Sequence, residues 1–324
     1  MQIFLLLRDR IESRKNKKNR RGRRNGMDCL ILVNPVAGMV RIKNELFNLM
    51  KILTDAGYAV TVKFTPPGGR TRDLVEGEAP RYALIVCCGG DGTLNEVIGG
   101  LIRLEYEKRP ALVYYPCGST NDFATTLKLP RTLPGLRKSI AAGKTMDLDV
   151  GLVNGVRNFS YIASFGIFTK ASYSVDSKTK NVLGHIAYLL KASEELGNLR
   201  DSYHTVIEHD GGRIEGDYIM VAVTNSTSAG GILRLSEKEV SLSDGVLELL
   251  LIKALANPSA TMAVADKLIR QQYDGDSVSL IHTTHARITC CKNPPWTLDG
   301  EFGGNIAVAD VSCLKGAVRL IVGG

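Results

Sequence analysis

An unbroken apolar run over residues 82–88 leads directly into a turn with three glycines, and this junction most restricts how the chain can fold. Such a run is typical of a strand that is buried on both faces of a parallel sheet. The glycines allow positive φ angles and the close approach of a second backbone or a phosphate, while Asp91 puts a charge at the strand end. Thr93 then begins a predicted helix, whose free N–H groups attract anions. The pattern also fits an ordinary turn in which Asp91 only caps the helix.

The order of strand, turn and helix recurs around this junction. Further strands are predicted at 29–33, 59–64 and 111–117, and helices at about 41–56, in a short segment before residue 82, and up to about residue 104. This period predicts a parallel sheet covered on both faces. Three strands end in small or polar clusters, which begin at Asn34, Gly89 and Gly118. Ligands of open α/β sheets lie at such strand ends, so we expect the functional site there.

Beyond about residue 147, short alternating segments separated by Gly, Asp and Asn predict a β-sandwich. These segments lie at 158–164, 203–208, 218–224, 246–252 and 286–291, with helices predicted at 183–196 and 258–272. The predicted fold class is therefore α/β plus all-β. A Rossmann-like parallel-sheet domain covers 27–147 and a β-sandwich covers 148–324, with the active site in the cleft between them. The last apolar run, at about 316–322, either closes the second domain or returns to the first sheet.

The net charge of +8 comes entirely from residues 1–26, which hold ten of the 41 basic residues and two of the 33 acidic ones. The remaining chain is formally neutral, which argues against nucleic acid as a partner. We interpret residues 1–26 as a basic disordered arm. Either this arm contacts anionic lipid, or it is not native and Met27 is the true start. Its apolar stretch precedes its charges, the reverse of the order in a secretory signal.

Cysteine spacing and hydropathy indicate the compartment. Seven cysteines without any C-x-x-C pair predict reduced thiols in a cytosolic protein, and the five histidines show no metal-binding spacing. No run of about 18 apolar residues occurs, so any membrane contact is expected to be peripheral.

Three motifs in a fixed order carry a family resemblance. They are Asn34-Pro35, the stretch from Gly89 to Glu96, and the stretch from Gly118 to Ala124. Together they strongly resemble the diacylglycerol kinase catalytic-domain family, the bacterial lipid kinases related to sphingosine and ceramide kinases and, more distantly, to NAD kinases. The likeness continues at 243–247 and 298–301 and covers essentially residues 27–324.

The resemblance implies a Mg²⁺-dependent enzyme that transfers the γ-phosphate of ATP to a lipid hydroxyl, with diacylglycerol to phosphatidic acid as the leading reaction. Such an enzyme would be cytoplasmic and would meet its lipid substrate transiently at the inner face of the membrane, and a homodimer is compatible with it. Two alternatives stay open. One is a soluble-substrate kinase of the NAD kinase type, and the other is a catalytically silent nucleotide-binding regulatory module. The later motifs favour the lipid branch.

The resemblance also implies which residues contact ATP, and the chain departs from the family pattern at two of the positions nearby. Ser119 replaces the usual Thr but keeps a hydroxyl donor. Met39 stands where relatives often carry a basic residue, so that contact falls to Arg41 or Lys43 if it exists. The implied nucleotide contacts are Asn34, Pro35, Gly38, Thr65, Gly90, Asp91, Gly92, Thr93, Asn95, Glu96, Ser119, Asn121 and Asp122.

Phosphoryl transfer requires positioning and charge neutralisation more than covalent help. Asp91 and Asp122 are candidates for holding Mg²⁺–ATP directly or through water, although Asp122 also fits a helix N-cap. The resemblance places the acceptor of the lipid hydroxyl proton in the Leu-Asp-Gly-Glu stretch at 298–301, where Asp299 and Glu301 both qualify. The two share a strand face if the segment is extended, whereas the Asp-Gly pattern by itself favours a hairpin turn.

A second Asp-Gly turn at Asp244 is likewise an ordinary β-turn by pattern. The resemblance implies a structural Mg²⁺ here, held by the Asp244 carboxylate and the main-chain carbonyls of Ser241 and Val246. Lys180 matches a family lysine that could face phosphate or a lipid headgroup, and a solvated surface lysine is the simpler interpretation.

Overall fold

A computed structural model describes residues 28–36, 39–118, 121–167, 202–229, 233–236, 238–254 and 258–323. Several sequence predictions fall outside these residues. They are the basic arm at 1–26, the nucleotide contacts Gly38 and Ser119, the lysine Lys180 and the helix at 183–196.

The N-terminal domain is built on four parallel strands in the order β2-β1-β3-β4, as the sequence predicts. The strands are β1 (Asp28–Val33), β2 (Ala59–Phe64), β3 (Leu84–Gly89) and β4 (Ala111–Pro116). The helices are α1 (Met39–Asp55), α2 (Thr71–Glu78), α3 (Asp91–Leu101), α4 (Asp122–Thr126) and α5 (Leu133–Ala142), with 3₁₀ turns at Ala79–Arg81 and Tyr106–Lys108. Helix α3 thus ends three residues before the predicted end at residue 104.

Strand β1 shows why the sheet needs continuous apolar runs. Its successive side chains alternate between two cores, with Leu30 and Leu32 packed in the layer that contains α3, and Cys29 and Ile31 in the layer that contains α1. Both faces are covered, so a polar residue on either face would be buried. This arrangement confirms the predicted parallel sheet and directs the strand ends toward one edge of the domain.

The C-terminal domain is a β-sandwich-like structure of antiparallel strands, in agreement with the predicted fold class. Its strands are β5 (Thr145–Val153), β6 (Arg157–Phe159), β7 (Ile162–Gly166), β8 (Tyr203–His209), β9 (Gly212–Thr224), β10 (Ser228–Ala229), β11 (Leu233–Arg234), β12 (Leu247–Lys253), β13 (Val278–Thr283), β14 (His285–Cys290), β15 (Pro295–Leu298), β16 (Glu301–Asn305) and β17 (Val308–Ile321). Helix α6 (Pro258–Arg270) packs through Val264 and Leu268 onto β9 and β12.

The last strand joins the two sheets. Strand β17 pairs antiparallel with β14 and β5, and its end pairs in parallel with β4 at Leu320 and Leu112. The Arg109 guanidinium donates a hydrogen bond of 2.7 Å to the Ala317 carbonyl beside this junction. The run predicted at 316–322 is therefore the second half of a longer strand that contributes to both domains.

Two further observations bear on the compartment predictions. Within the described ranges, every helix is too short or too polar to cross a bilayer. All seven cysteines are free thiols, and burial raises the pKa of Cys29 to about 12.

Candidate active site

A cleft of about 1050 Å³ lies between the ends of the parallel strands and the β15–β16 turn of the second domain. It brings together many of the predicted site residues. Those that line it are Asn34, Pro35, Thr65, Gly90, Gly92, Thr93, Asn95, Glu96, Asp299 and Glu301. Asp91, Asn121 and Asp122 were also predicted but do not line this cleft.

The glycine turn after β3 forms one wall of the cleft, where Gly90 occupies the N-cap of α3. It lies against the turn after β4, because a Cβ on Gly118 would stand 2.6 Å from the Gly90 Cα. No side chain fits between two backbones at that separation, which explains the glycines at both strand ends. No side chain caps the start of α3, and Gly90, Gly92 and Thr93 at that start line the cleft, as an anion-binding turn requires.

Asn34 and Thr93 complete this wall. The Asn34 side-chain amide donates a hydrogen bond of 2.8 Å to the Thr93 hydroxyl, and its oxygen accepts from the Val36 amide at 2.9 Å. Because Thr93 receives a hydrogen bond from Asn34, its own hydroxyl proton remains available for an acceptor in the cleft. The arrangement suits a phosphate oxygen at the start of α3.

Asp91 faces away from the cleft and caps a different helix. Its carboxylate accepts a hydrogen bond of 2.9 Å from the backbone amide of Asp122 and one of 3.4 Å from the Tyr114 hydroxyl, at the start of α4. Burial raises the pKa of Asp91, and these donors oppose that rise. The geometry resembles the capping alternative, except that the capped helix is α4 rather than the helix that Asp91 begins.

Asn121 and Asp122 build the neighbouring turn. Asn121 has a left-handed φ of 53°, and its side chain closes the turn through Gly118, accepting from the Gly118 amide at 3.0 Å and donating to the Gly118 carbonyl at 2.6 Å. Asp122 is buried in the first turn of α4. Both residues therefore lie behind the cleft wall.

Asp299 and Glu301 have opposite environments. Asp299 is only 6% exposed, and its carboxylate accepts hydrogen bonds from the amides of Ser160 (2.6 Å), Tyr161 (2.9 Å) and Ile162 (3.0 Å) and from Asn95 Nδ2 (2.7 Å). Burial raises its pKa to about 6 in spite of these donors. These hydrogen bonds of the Asp299 carboxylate are all made to groups of the protein itself.

Glu301 is exposed at the start of β16, and its Oε1 lies 4.0 Å from the point where a Cβ on Gly92 would stand. Asp299 and Gly300 have φ angles of 50° and 84°, so the segment is a turn and not an extended strand. The segment is therefore the turn that the Asp-Gly pattern favours, and the two carboxylates do not share a strand face. Glu301 is the one that faces the glycine turn across the cleft.

Two arginines that sequence reasoning missed also line the cleft. Arg72 at the start of α2 donates to Asn95 Oδ1 at 2.9 Å, and Arg157 of β6 donates to the Gly303 carbonyl. Burial lowers the pKa of Arg72, and the nearby Glu96 opposes this. Neither residue belongs to a recognisable motif, since only the folded chain brings them to the cleft.

The Asp244 turn is the Mg²⁺ site that the resemblance implies. Asp244 Oδ1 accepts from the Val246 amide at 3.0 Å, while the nearby Glu248 is fully buried and neither of its carboxylate oxygens has a hydrogen-bond partner. Burial, with Asp244 nearby, raises the pKa of Glu248 to about 8. In the part of the chain described here, no three His, Cys, Asp or Glu side chains converge as metal ligands. A cation would therefore depend on main-chain carbonyls, as the resemblance implies, and the unpaired Glu248 gives it a favourable field.

Comparisons with known proteins agree with this arrangement. Residues 28–153 match the model of the diacylglycerol kinase catalytic domain, and residues 162–322 match the YegS C-terminal NAD kinase beta sandwich-like domain. A diacylglycerol kinase of Bacillus subtilis (strain 168) is 34% identical over 278 residues, which cover 85% of this chain and 89% of that protein. A diacylglycerol kinase of Staphylococcus aureus (strain bovine RF122 / ET3-1) is 29% identical over 289 residues, covering 85% and 86%.

A solved structure from Bacillus anthracis str. Sterne, provisionally assigned as a diacylglycerol kinase, superimposes with a TM-score of 0.73 at 25% identity. The match covers 92% of this chain and 95% of that one. Both domains thus have counterparts in one group of proteins. The chain belongs to the diacylglycerol kinase catalytic-domain family.

Proposed function

We propose that the protein is an ATP-dependent lipid kinase that phosphorylates diacylglycerol to phosphatidic acid. The observation that carries this proposal is the position of Glu301, an exposed carboxylate that faces the glycine turn of α3 across the cleft. A base on one wall and an anion-binding turn on the other are what in-line phosphoryl transfer to a hydroxyl requires.

The nucleotide phosphates would bind at the N-terminus of α3. Backbone N–H groups and the Thr93 hydroxyl donate to them, and Asn34 keeps that hydroxyl oriented. Glu301 accepts the proton of the acceptor hydroxyl as the oxygen of that hydroxyl attacks the γ-phosphorus, the bond from this phosphorus to the bridging oxygen breaks, and ADP leaves. Asp91 acts from behind the turn by fixing α4 against it, and with Asp122 it stays a candidate for holding the nucleotide's Mg²⁺ through water.

A second Mg²⁺ would be held by the Asp244 carboxylate and the carbonyls of Ser241 and Val246. When bound, it supplies positive charge beside the unpaired Glu248 carboxylate and so stabilises the turn before β12. This second Mg²⁺ would have a structural role and no part in the chemistry.

A lipid acceptor is supported by the apolar rim of the cleft as well as by the names of the relatives. Phe302 follows Glu301 directly and is 63% exposed, and Val36 on the opposite wall is 86% exposed. Both line the cleft, so an acyl chain that passes the base would cover them. The enzyme would work from the cytoplasm, at the membrane surface, with a lipid and no nucleic acid as its partner.

The test is transfer of labelled γ-phosphate from ATP to diacylglycerol, phosphatidylglycerol, undecaprenol, ceramide and NAD, with the lipids in mixed micelles. Labelled phosphatidic acid is the expected product. Phosphorylation of NAD but of no lipid would instead favour the soluble-substrate alternative. Nucleotide binding without any transfer would favour a silent regulatory module.

A further inference from the structure

Four polar side chains form a buried chain of hydrogen bonds across the domain boundary at the cleft. Arg72 and Asn95 come from the N-terminal domain, and Asn158 and Asp299 come from the C-terminal domain. Asn95, Asn158 and Asp299 are 8%, 3% and 6% exposed. We call this set the interdomain clasp.

Asn95 is the centre of the clasp. Its Nδ2 donates to Asp299 Oδ2 at 2.7 Å and to the Asn158 carbonyl at 3.2 Å, and its Oδ1 accepts from Arg72 Nη2 at 2.9 Å. Asn158 returns the contact, since its Nδ2 donates to the Asn95 carbonyl at 3.0 Å. Three of these four bonds join one domain to the other.

These bonds occupy both Nδ2 hydrogens of Asn95. An amide nitrogen has two hydrogens, so none is left for a nucleotide, and the side-chain oxygen already has an arginine donor. Asn95 also belongs to the same helix as Thr93, two residues further on, so its position is tied to the anion-binding turn. The residue is therefore built to hold the second domain and not to contact ATP through its side-chain amide.

Asp299 is the other end of the clasp, and it governs where Glu301 lies. The left-handed φ of 50° at Asp299 is unfavourable for a residue other than glycine unless the surrounding structure holds it. The Asp299 carboxylate supplies that hold through three consecutive amides of the β6–β7 connection and through Asn95. Glu301 follows two residues later, so a shift of Asp299 moves Glu301.

We infer that Asn95 is a positioning residue whose bond to Asp299 sets the distance between Glu301 and the phosphate-binding turn. Arg72 holds the Asn95 amide in the orientation that makes this bond. The inference rests on the proposed function for the role of Glu301, whereas the clasp itself is a property of the fold. In this interpretation the Asn95 side chain links the two halves of the site and does not contact the nucleotide.

The test exchanges the two partners. Asn95→Asp places two carboxylates together at the clasp, and adding Asp299→Asn removes this repulsion and reverses the direction of the bond, while the Ser160 amide loses its acceptor. We expect Asn95→Asp to lower kcat by about 100-fold, as a misplacement near 1 Å can do. The double variant should recover at least part of that loss, with nucleotide affinity unchanged throughout. Asn48→Ala, an exposed position on α1, is the matched control.

Two results would overturn the inference. One is a loss of nucleotide affinity in Asn95→Asp with kcat unchanged, measured by titration with a non-hydrolysable ATP analogue, since that identifies a nucleotide ligand. The other is a wild-type kcat in Asn95→Asp with nucleotide affinity retained, since the bond to Asp299 would then not position Glu301.

Amide hydrogen exchange separates the clasp from the proposed function. The amides of Ser160, Tyr161 and Ile162 donate to Asp299, so their exchange should accelerate in Asn95→Asp. In the double variant the exchange of Tyr161 and Ile162, which bond to Oδ1, should slow again, whereas Ser160, which bonds to Oδ2, loses its acceptor and should stay fast. This readout needs no turnover. If no variant transfers phosphate but the exchange follows this pattern, the function is wrong and the clasp stands; unchanged exchange contradicts the clasp.

Discussion

The two walls of the cleft use the same dipeptide in the same way. Asp91-Gly92 lies on the N-terminal wall and Asp299-Gly300 on the C-terminal wall, and each aspartate turns inward to accept backbone amides. In each case the residue that faces the cleft comes two positions later, Thr93 on one wall and Glu301 on the other. The aspartates shape the turns, and the proposed function gives the chemical roles to the residues that follow them.

The two walls differ in what they offer. The N-terminal wall presents backbone N–H groups and a hydroxyl, which suit a phosphate. The C-terminal wall presents an exposed carboxylate beside an exposed phenyl ring, which suit a hydroxyl on an apolar molecule. The residue type alone therefore does not make an acidic residue at a strand end a ligand. Its burial and the hydrogen-bond donors around it decide whether its carboxylate faces the protein or the substrate.

The largest effect is expected at Glu301, the base in the proposed function. Glu301→Gln should lower kcat by about 1,000-fold, within the range for loss of general-base catalysis, with ATP affinity retained. Steady-state kinetics with labelled ATP and diacylglycerol measure this. Glu208→Gln, an exposed glutamate on β8, is the control and should behave as wild type. A Glu301→Gln enzyme with normal turnover would remove the base from this wall.

A smaller effect, on both stability and activity, is expected at Asp91. A purely catalytic role would change activity alone. Asp91→Ala removes the carboxylate that accepts from the Asp122 amide, while the Tyr114 hydroxyl keeps Asn121 Oδ1 as an acceptor, so stability should fall by about 1–3 kcal/mol together with activity. Urea denaturation followed by circular dichroism measures the first quantity. Abolished transfer with unchanged stability would restore a direct role for Asp91 at the nucleotide.

Thr93 separates the hydroxyl donor from the backbone donors on the same wall. Thr93→Val keeps the shape but removes the proton offered to phosphate, so the KM for ATP should rise by about tenfold, the effect of a hydrogen bond to a charged group. Thr93→Ser keeps the hydroxyl and should stay near wild type. Equal behaviour of the two variants would mean that the backbone N–H groups alone bind the nucleotide.

The smallest effect on turnover is expected at Glu248, beside the Asp244-Gly245 turn, where stability is the quantity that changes. Its folded pKa, about 8, is above the ordinary value of 4.5, so the native state binds a proton that the unfolded state releases. Stability without Mg²⁺ should therefore fall as the pH rises from about 4.5 to about 8.

Glu248→Gln should remove this part of the pH dependence. Thermal unfolding at pH 6 and pH 9, with and without Mg²⁺, measures it, and Mg²⁺ should raise the midpoint at pH 9 more in wild type than in the variant. Equal pH profiles for the two proteins would show that Glu248 does not titrate in this range.

The sequence predicts the architecture well because the N-terminal strands are recognisable from their local sequence. The run at residues 84–89 is apolar on both faces, so only a covered sheet can bury it, and the glycines that follow predict the tight turn. The same reasoning finds Asn34 and Gly118, because strand ends on one edge of a parallel sheet lie together. The family resemblance then directs attention to Glu301, but it leaves Asp299 as an equal candidate.

Arg72, Arg157 and Asn158 could not be found in this way. Arg72 is one of many basic residues, and Asn158 lies 63 positions from the Asn95 that it contacts. Long-range polar contacts of this kind depend on side-chain directions that no local spacing encodes. The orientation of Asp91 is of the same kind, since its partner Asp122 lies 31 residues further along the chain.

By itself, the sequence determined which segments are buried strands, where glycine must stand, and to which family the motifs point, because apolar period and φ preference are local properties. The tertiary structure alone decided which carboxylates face the cleft. Asp91 and Asp299 are turned inward by amides from distant segments, and left-handed φ angles of 50° and 84° at Asp299 and Gly300 direct Glu301 outward. A carboxylate takes the orientation in which its charge is best solvated, and only the folded chain sets whether backbone amides or water provide that solvation.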